Sequence, residues 1–201
     1  LKHNITIKDG IELAATARNA GVKMPFVLFS YFNPILQVGI EDCFKAMQEK
    51  DISGIIIPDL PLEESNEVRD IANRYGVHLI PLVAPTSDQR INQIVEQASG
   101  FIYCVSSLGV TGVRSEFDER VEQFIRSVKQ ATTVPAAIGF GVSTVEHVKQ
   151  FARYCDGVVV GSAIIRKVEE VGHLLLEETT RTEGLDAIYQ FVKNLKSGTQ
   201  S

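Results

Sequence analysis

Six short apolar runs punctuate the chain: FVLFSYF at 26–32, GIIIPDL at 54–60, HLIPLVAP at 78–85, FIYCVSS at 101–107, PAAIGFG at 135–141 and GVVVGSA at 157–163. Most are continuously apolar and rich in Val and Ile. A strand with one wet face alternates apolar and polar residues, whereas a strand covered on both faces need not. The runs therefore predict buried strands of a parallel sheet. Helical periodicity fills the gaps. Val121, Phe124, Ile125 and Val128 recur at i, i+3, i+4 and i+7, as do Ile91, Ile94, Val95 and Ala98. Leu185, Ile188, Phe191, Val192 and Leu195 predict a last amphipathic helix. Thr6 with Asp9, and Ser143 with Glu146, have the spacing of capping boxes.

Run starts recur every 22 to 34 residues, the period of strand–helix units, with no linker or low-complexity tract between them. We expect residues 1–201 to form a single domain. Repeated units of this kind build either an open doubly wound sheet or a closed (β/α)8 TIM barrel. The glycine-rich turns come late in the chain, and no G-x-G-x-x-G follows the first strand, which disfavours a dinucleotide fold. The last strand is followed by a short helical segment, GSAIIRKVEEVG, and then by the full helix. Barrel phosphate sites are commonly built from the loops after strands 7 and 8 and a short extra helix. The expected fold is α/β, a (β/α)8 TIM barrel with strands 3 to 8 visible. Such barrels take about 250 residues, so we expect the sequence to lack two N-terminal strand–helix units.

Composition narrows the function. Net charge is −5, which leaves no basic footprint for nucleic acid or an anionic membrane. No apolar run approaches the roughly 20 residues of a membrane span. The three cysteines are odd in number and far apart, the four histidines are scattered, and no leader pattern opens the chain. No metal site is expected, and the expected compartment is the reducing cytoplasm.

Chemistry in this fold sits at the C-terminal strand ends. Those ends carry Tyr31, Asn33 and Pro34; Asp59 and Pro61; Pro85, Thr86 and Ser87; Tyr103; Gly139, Phe140 and Gly141; and Gly161 with Ser162. Gly161 and Ser162 open a helix, where free N–H groups and the helix dipole favour an anion; Ser162 equally fits a plain N-cap. Gly141 and Gly112 are placed to close loops over the same anion, which points to a phosphate monoester. The stretch 106–118 fits a lid or an ordinary strand–helix loop. Asp59 fits a general base, or a cap of the PLEES turn that follows it. Phe29, Ile56, Phe140 and Val159 fit either a flat apolar pocket or barrel core.

Taken in order, LFSYFNPI, GIIIPDLPLEES, IPLVAPTS, FIYCVSSLGVTG, AIGFGVS and VVVGSAI resemble the consecutive turns of the tryptophan synthase α subunit family. The resemblance implies a cofactor-free lyase that cleaves indole-3-glycerol phosphate to indole and glyceraldehyde 3-phosphate. It implies an α2β2 complex with a tryptophan synthase beta subunit, which alone carries pyridoxal phosphate. By the same resemblance Gly112, Gly141, Gly161 and Ser162 hold the phosphate. Tyr103, Thr111, Phe140, Phe29, Val159 and Tyr31 surround the substrate, and Asn33 and Pro61 face the partner. The family's two catalytic carboxylates, a Glu and an Asp in an E-x-G-x-P-F-S-D-like stretch, have no counterpart in these residues. No catalytic residue is assigned, and the chain alone is expected to be inactive. The alternatives are another phosphate-binding barrel, such as a sugar-phosphate isomerase, and a non-catalytic ligand-sensing subunit.

Overall fold

The computed structural model describes residues 5–61, 63–85, 91–105, 114–139 and 141–199, with the side chains of 114–119 left aside. The chain divides into two compact units, residues 1–82 with 93–102, and residues 83–92 with 103–201.

In the first unit α1 (Ile7–Asn19) leads into β1 (Val27–Phe29). Then follow α2 (Phe32–Val38), α3 (Ile40–Glu49), β2 (Gly54–Ile56), α4 (Ser65–Arg74) and β3 (His78–Ile80). β1, β2 and β3 form a parallel sheet in that order, with Leu28, Ile55 and Leu79 in register. Ile35, Cys43, Phe44, Met47 and Val68 pack the helices into one core with Ile55. The expected capping box of α1 is present: the Thr6 hydroxyl accepts from Asp9 N–H at 3.3 Å, and Asp9 accepts from Thr6 N–H at 2.8 Å.

The apolar run at 26–32 is strand only at Val27–Phe29. Its end turns into α2, where Pro34 is tolerated in the first turn because helix-opening N–H groups lack intrahelical acceptors. Gly39, at φ +96°, ends α2 and starts α3. Arg18 closes the connection from α1 to β1. Its Nη1 donates to Val22 O at 2.6 Å, its Nε lies 2.9 Å from Asp51 Oδ2, and its guanidinium stacks over the Phe26 ring.

The run at 78–85 yields two strands, β3 and β4 (Leu82–Val83). Pro81 lies between them; it has no N–H to give a ladder, so pairing stops there. α5 (Ile91–Glu96) and β5 (Ile102–Val105) follow. Then come α6 (Arg114–Ala131), β6 (Ala136–Gly139), α7 (Val145–Phe151) and β7 (Gly157–Val159). α8 (Ser162–Glu170), α9 (Gly172–Leu176) and α10 (Arg181–Ser197) complete the second unit. The second sheet has the order β4-β5-β6-β7, with β6 and β7 parallel.

Val121, Phe124, Ile125 and Val128 of α6 are all buried, as their spacing predicts. At the start of β6, Asp156 accepts from Ala136 N–H at 2.9 Å and from Lys129 at 2.8 Å, tying α6, β6 and the entry to β7 together. Two expectations are corrected. The cap of α7 is Thr144, whose hydroxyl accepts from His147 N–H at 3.2 Å, one residue beyond the expected Ser143. On α10, Ile188, Phe191 and Leu195 of the expected face are half-buried or buried, whereas Leu185 is 56% exposed and Val192 is exposed too, and Gly184 is buried instead. A Cβ on Gly184 would stand 2.8 Å from Leu175 Cδ2, so close approach to α9 at this glycine sets which face of α10 is covered.

Candidate functional site

The site begins with the pairing of β6 and β7. Gly139 is in register with Val159, so Gly141 and Gly161 each lie two residues beyond a paired position, in turns that leave the same end of the two strands. The two glycines differ physically. Gly141 has φ +73°, a conformation that side chains disfavour. Gly161 has φ −114°, and a Cβ added there would meet nothing within 4 Å among the described residues. The space beyond Gly161 is open, and packing alone does not demand glycine.

Gly161 is also the N-cap of α8, and no side chain among the described residues caps that helix. Ser162 is its first helical residue and is exposed, so the alternative of Ser162 as N-cap does not hold. Gly161 O accepts from Ile164 N–H at 2.9 Å and Ile165 N–H at 3.2 Å. The N–H groups of Ser162 and Ala163 precede any intrahelical acceptor and carry the positive end of the dipole. An exposed, uncapped helix start beside a second glycine turn is chemically suited to an anion.

Tyr103, on β5, is 6% exposed and lies over Gly139. A Cβ at Gly139 would stand 2.5 Å from Tyr103 Cε2 and 2.8 Å from Cζ. The first glycine of GFG is thus required by the tyrosine ring, a role that glycine content alone does not reveal. Burial pushes the Tyr103 hydroxyl above its ordinary range. Val159, at the end of β7, is half-buried.

In the first unit, Phe29 at the end of β1 is 56% exposed and Tyr31, the N-cap of α2, is 64% exposed. Neither is core there. Asn33 and Pro61 are exposed. Asp59 does not cap the turn that follows it; its Oδ1 accepts from Phe32 N–H at 2.8 Å, tying the start of α2, which carries Asn33, to the turn that carries Pro61. Thr111, Gly112 and Phe140 lie outside the described residues, as do Thr86, Ser87 and the stretch 106–113.

Among the described residues, no three His, Cys, Asp or Glu side chains gather as a metal site. The cysteines are buried, and burial pushes the thiols of Cys43 and Cys104 up to about 11 and about 12, so neither is a nucleophile at neutral pH. No helix among the described residues is long and apolar enough to cross a membrane.

Parallel strands that alternate with helices define an α/β protein, and its solved structural neighbours are (β/α)8 TIM barrels. Comparison with known proteins is specific. The profile of the family "Tryptophan synthase alpha chain" matches residues 1–200. The tryptophan synthase alpha chain of Geobacillus sp. (strain WCH70) is 46% identical over 195 residues, which span 97% of this chain and 74% of that relative. Tryptophan synthase subunit alpha from Legionella pneumophila str. Paris superposes with a TM-score of 0.85 at 27% identity, over all of this chain and 72% of its own. A chain of the tryptophan synthase complex from Pyrococcus furiosus superposes with a TM-score of 0.80 at 27% identity, over 98% of this chain and 75% of its own. The chain belongs to the tryptophan synthase alpha chain family, lyases of tryptophan biosynthesis that work with a beta subunit.

Proposed function

We propose that this chain binds indole-3-glycerol phosphate and serves its cleavage to indole and glyceraldehyde 3-phosphate. The observation that supports this most directly is the uncapped start of α8 at Gly161, opening on free space beside the Gly141 turn. Two sets of backbone N–H groups there suit a phosphate monoester, with no Lys or Arg within GFGVS or GSA. Gly112 belongs to the same phosphate set, and Tyr103, Thr111, Phe140, Phe29, Val159 and Tyr31 to the substrate set.

The reaction needs no cofactor in this subunit. Protonation at indole C3 places a cationic C=N bond next to the carbon–carbon bond that breaks. That bond's electron pair restores the indole, while the glycerol hydroxyl loses its proton and becomes the aldehyde. Two proton transfers and a partner for the indole N–H are required, a task for paired carboxylates. No E-x-G-x-P-F-S-D-like stretch occurs in the 201 residues, and the Asp59 carboxylate is engaged by Phe32 N–H. These residues alone therefore bind substrate without releasing indole. The partner is the beta subunit, which holds the pyridoxal phosphate, in an α2β2 assembly that Asn33 and Pro61 face. The setting is the cytoplasm.

Calorimetric titration with indole-3-glycerol phosphate tests the site. Gly141→Asp puts a carboxylate where the phosphate sits and abolishes binding; unchanged affinity removes the phosphate assignment. Release of indole by the 201 residues alone would place the carboxylate chemistry within them.

A further inference from the structure

A cavity of about 160 Å³ lies in the first unit, between the segment that follows β2, α4, β3 with the start of β4, and Ile94 of α5. Eight of its lining residues are apolar, Leu60, Leu79, Leu82 and Ile94 among them, and its polar lining residues are Ser65 and Arg69. An apolar cavity of about 150 Å³ is enough to take up benzene. The ring-sized space here therefore has one cation in its wall.

That cation is incompletely used. Arg69 Nη1 donates to Asn66 Oδ1 at 3.1 Å and to Gln97 Oε1. Nη2 has one long contact, 3.4 Å to Ser65 Oγ. Nε is buried and has no hydrogen-bond partner among the described residues. Nε and Nη2 form the side edge of the guanidinium, whose parallel N–H groups match the two oxygens of a carboxylate. A buried N–H left unpaired is costly and uncommon, so the open edge calls for an acceptor. Burial also pushes the Arg69 pKa down, as expected where water has been removed without full replacement.

We propose that this cavity is a second ligand site, for a small aromatic carboxylate: the ring occupies the apolar space and the carboxylate takes the Nε–Nη2 edge of Arg69. The site goes beyond the proposed reaction, since none of its residues belongs to the phosphate or indole set. Its only chemical demands are a flat apolar body of ring size and one anionic group at its rim.

Titration with sodium benzoate, and with benzamide as the neutral isostere, tests it. The readouts are the methyl resonances of Leu60, Leu79, Leu82 and Ile94 and the Nε resonance of Arg69. Benzoate should shift all of them saturably, with benzamide weaker by about tenfold, the value of a charge-assisted bidentate pair. In Arg69→Gln the preference for benzoate should vanish. The benzoate–benzamide comparison is made within the unaltered chain, so it stands even if the variant fails to fold. Absence of a saturable benzoate shift, as when a water alone satisfies Nε, overturns the proposal. So does equal affinity for the two probes. Benzoate shifts confined to the Gly141 and Gly161 amides overturn it too, and leave the proposed function standing.

Discussion

Tyr103 fills the space that a side chain at residue 139 would need. A Cβ there would come within 2.5 Å of the ring. Neither partner can shift freely, since Tyr103 is buried on β5 and Gly139 is held in register with Val159. Gly139→Ala should therefore destabilise the fold by about 2 kcal/mol, in the range of core overpacking. Tyr103→Leu removes the ring, and the double variant Gly139→Ala, Tyr103→Leu should recover part of the loss. Urea unfolding of the four forms gives the coupling energy. Additive losses would mean that the two residues do not compete for one space.

The glycines after the strands should separate by what they need glycine for. Gly141→Ala places a methyl at φ +73° and should cost about 1 kcal/mol of stability through backbone strain. The methyl of Gly161→Ala meets no atom of the described residues within 4 Å, so packing exacts little there. Its methyl instead points into the space proposed for phosphate. Affinity for indole-3-glycerol phosphate should fall by about tenfold with the unfolding midpoint nearly unchanged. A Gly161→Ala protein with full affinity would show that the phosphate sits elsewhere.

The runs of Val and Ile foretold the strands because burial on both faces leaves a mark that periodicity can find. The break of 78–85 at Pro81 follows from the missing N–H and was open to the same reading. Local signals settled less. Ser143 and Thr144 both offer a hydroxyl, and only backbone geometry selects Thr144. Leu185 and Val192 have the right spacing on α10 but flank the covered stripe, which runs through Gly184, Ile188, Phe191 and Leu195 and is set by the close approach of α9 at Gly184. In the site, the exposed glycine turns and Ser162 stood out because strand ends are where this fold keeps chemistry. The dependence of Gly139 on Tyr103, the bond from Phe32 to Asp59 and the open edge of Arg69 join residues far apart in the chain, and no spacing rule reaches them.

Asp59 sits between Asn33 and Pro61, the two positions proposed to face the partner. By accepting from Phe32 N–H it fixes the start of α2, and with it Asn33, against the turn that holds Pro61. Asp59→Ala leaves that N–H to water and should cost about 1 kcal/mol, the usual loss for a helix-start acceptor. The larger effect is expected on assembly, because the start of α2 and the Pro61 turn become freer before binding and must be ordered at the interface. Titration with the beta subunit should show weaker association for Asp59→Ala, and Asp59→Asn, which keeps an oxygen, should restore most of it. Equal association of all three forms would remove the start of α2 and the Pro61 turn from the interface.

Asp156 should leave a signature in the acid limb of stability. Its carboxylate accepts from Ala136 N–H and pairs with Lys129, and these hold its pKa below the ordinary 3.8. The folded value is thus lower than the unfolded one. The stabilisation is fully present above the unfolded value and fades as pH falls through the folded value, when the carboxyl gains its proton. The side chain is 42% exposed, so the contribution is modest, about 1 kcal/mol after solvent screening. Asp156→Asn should be less stable than the parent by a constant gap at neutral and mildly acidic pH. That gap should narrow below 3.8, the ordinary value. Urea unfolding of both forms across that range measures it. A gap that persists undiminished in strong acid would assign the loss to altered packing at the start of β6, and the carboxylate charge would have no part in it.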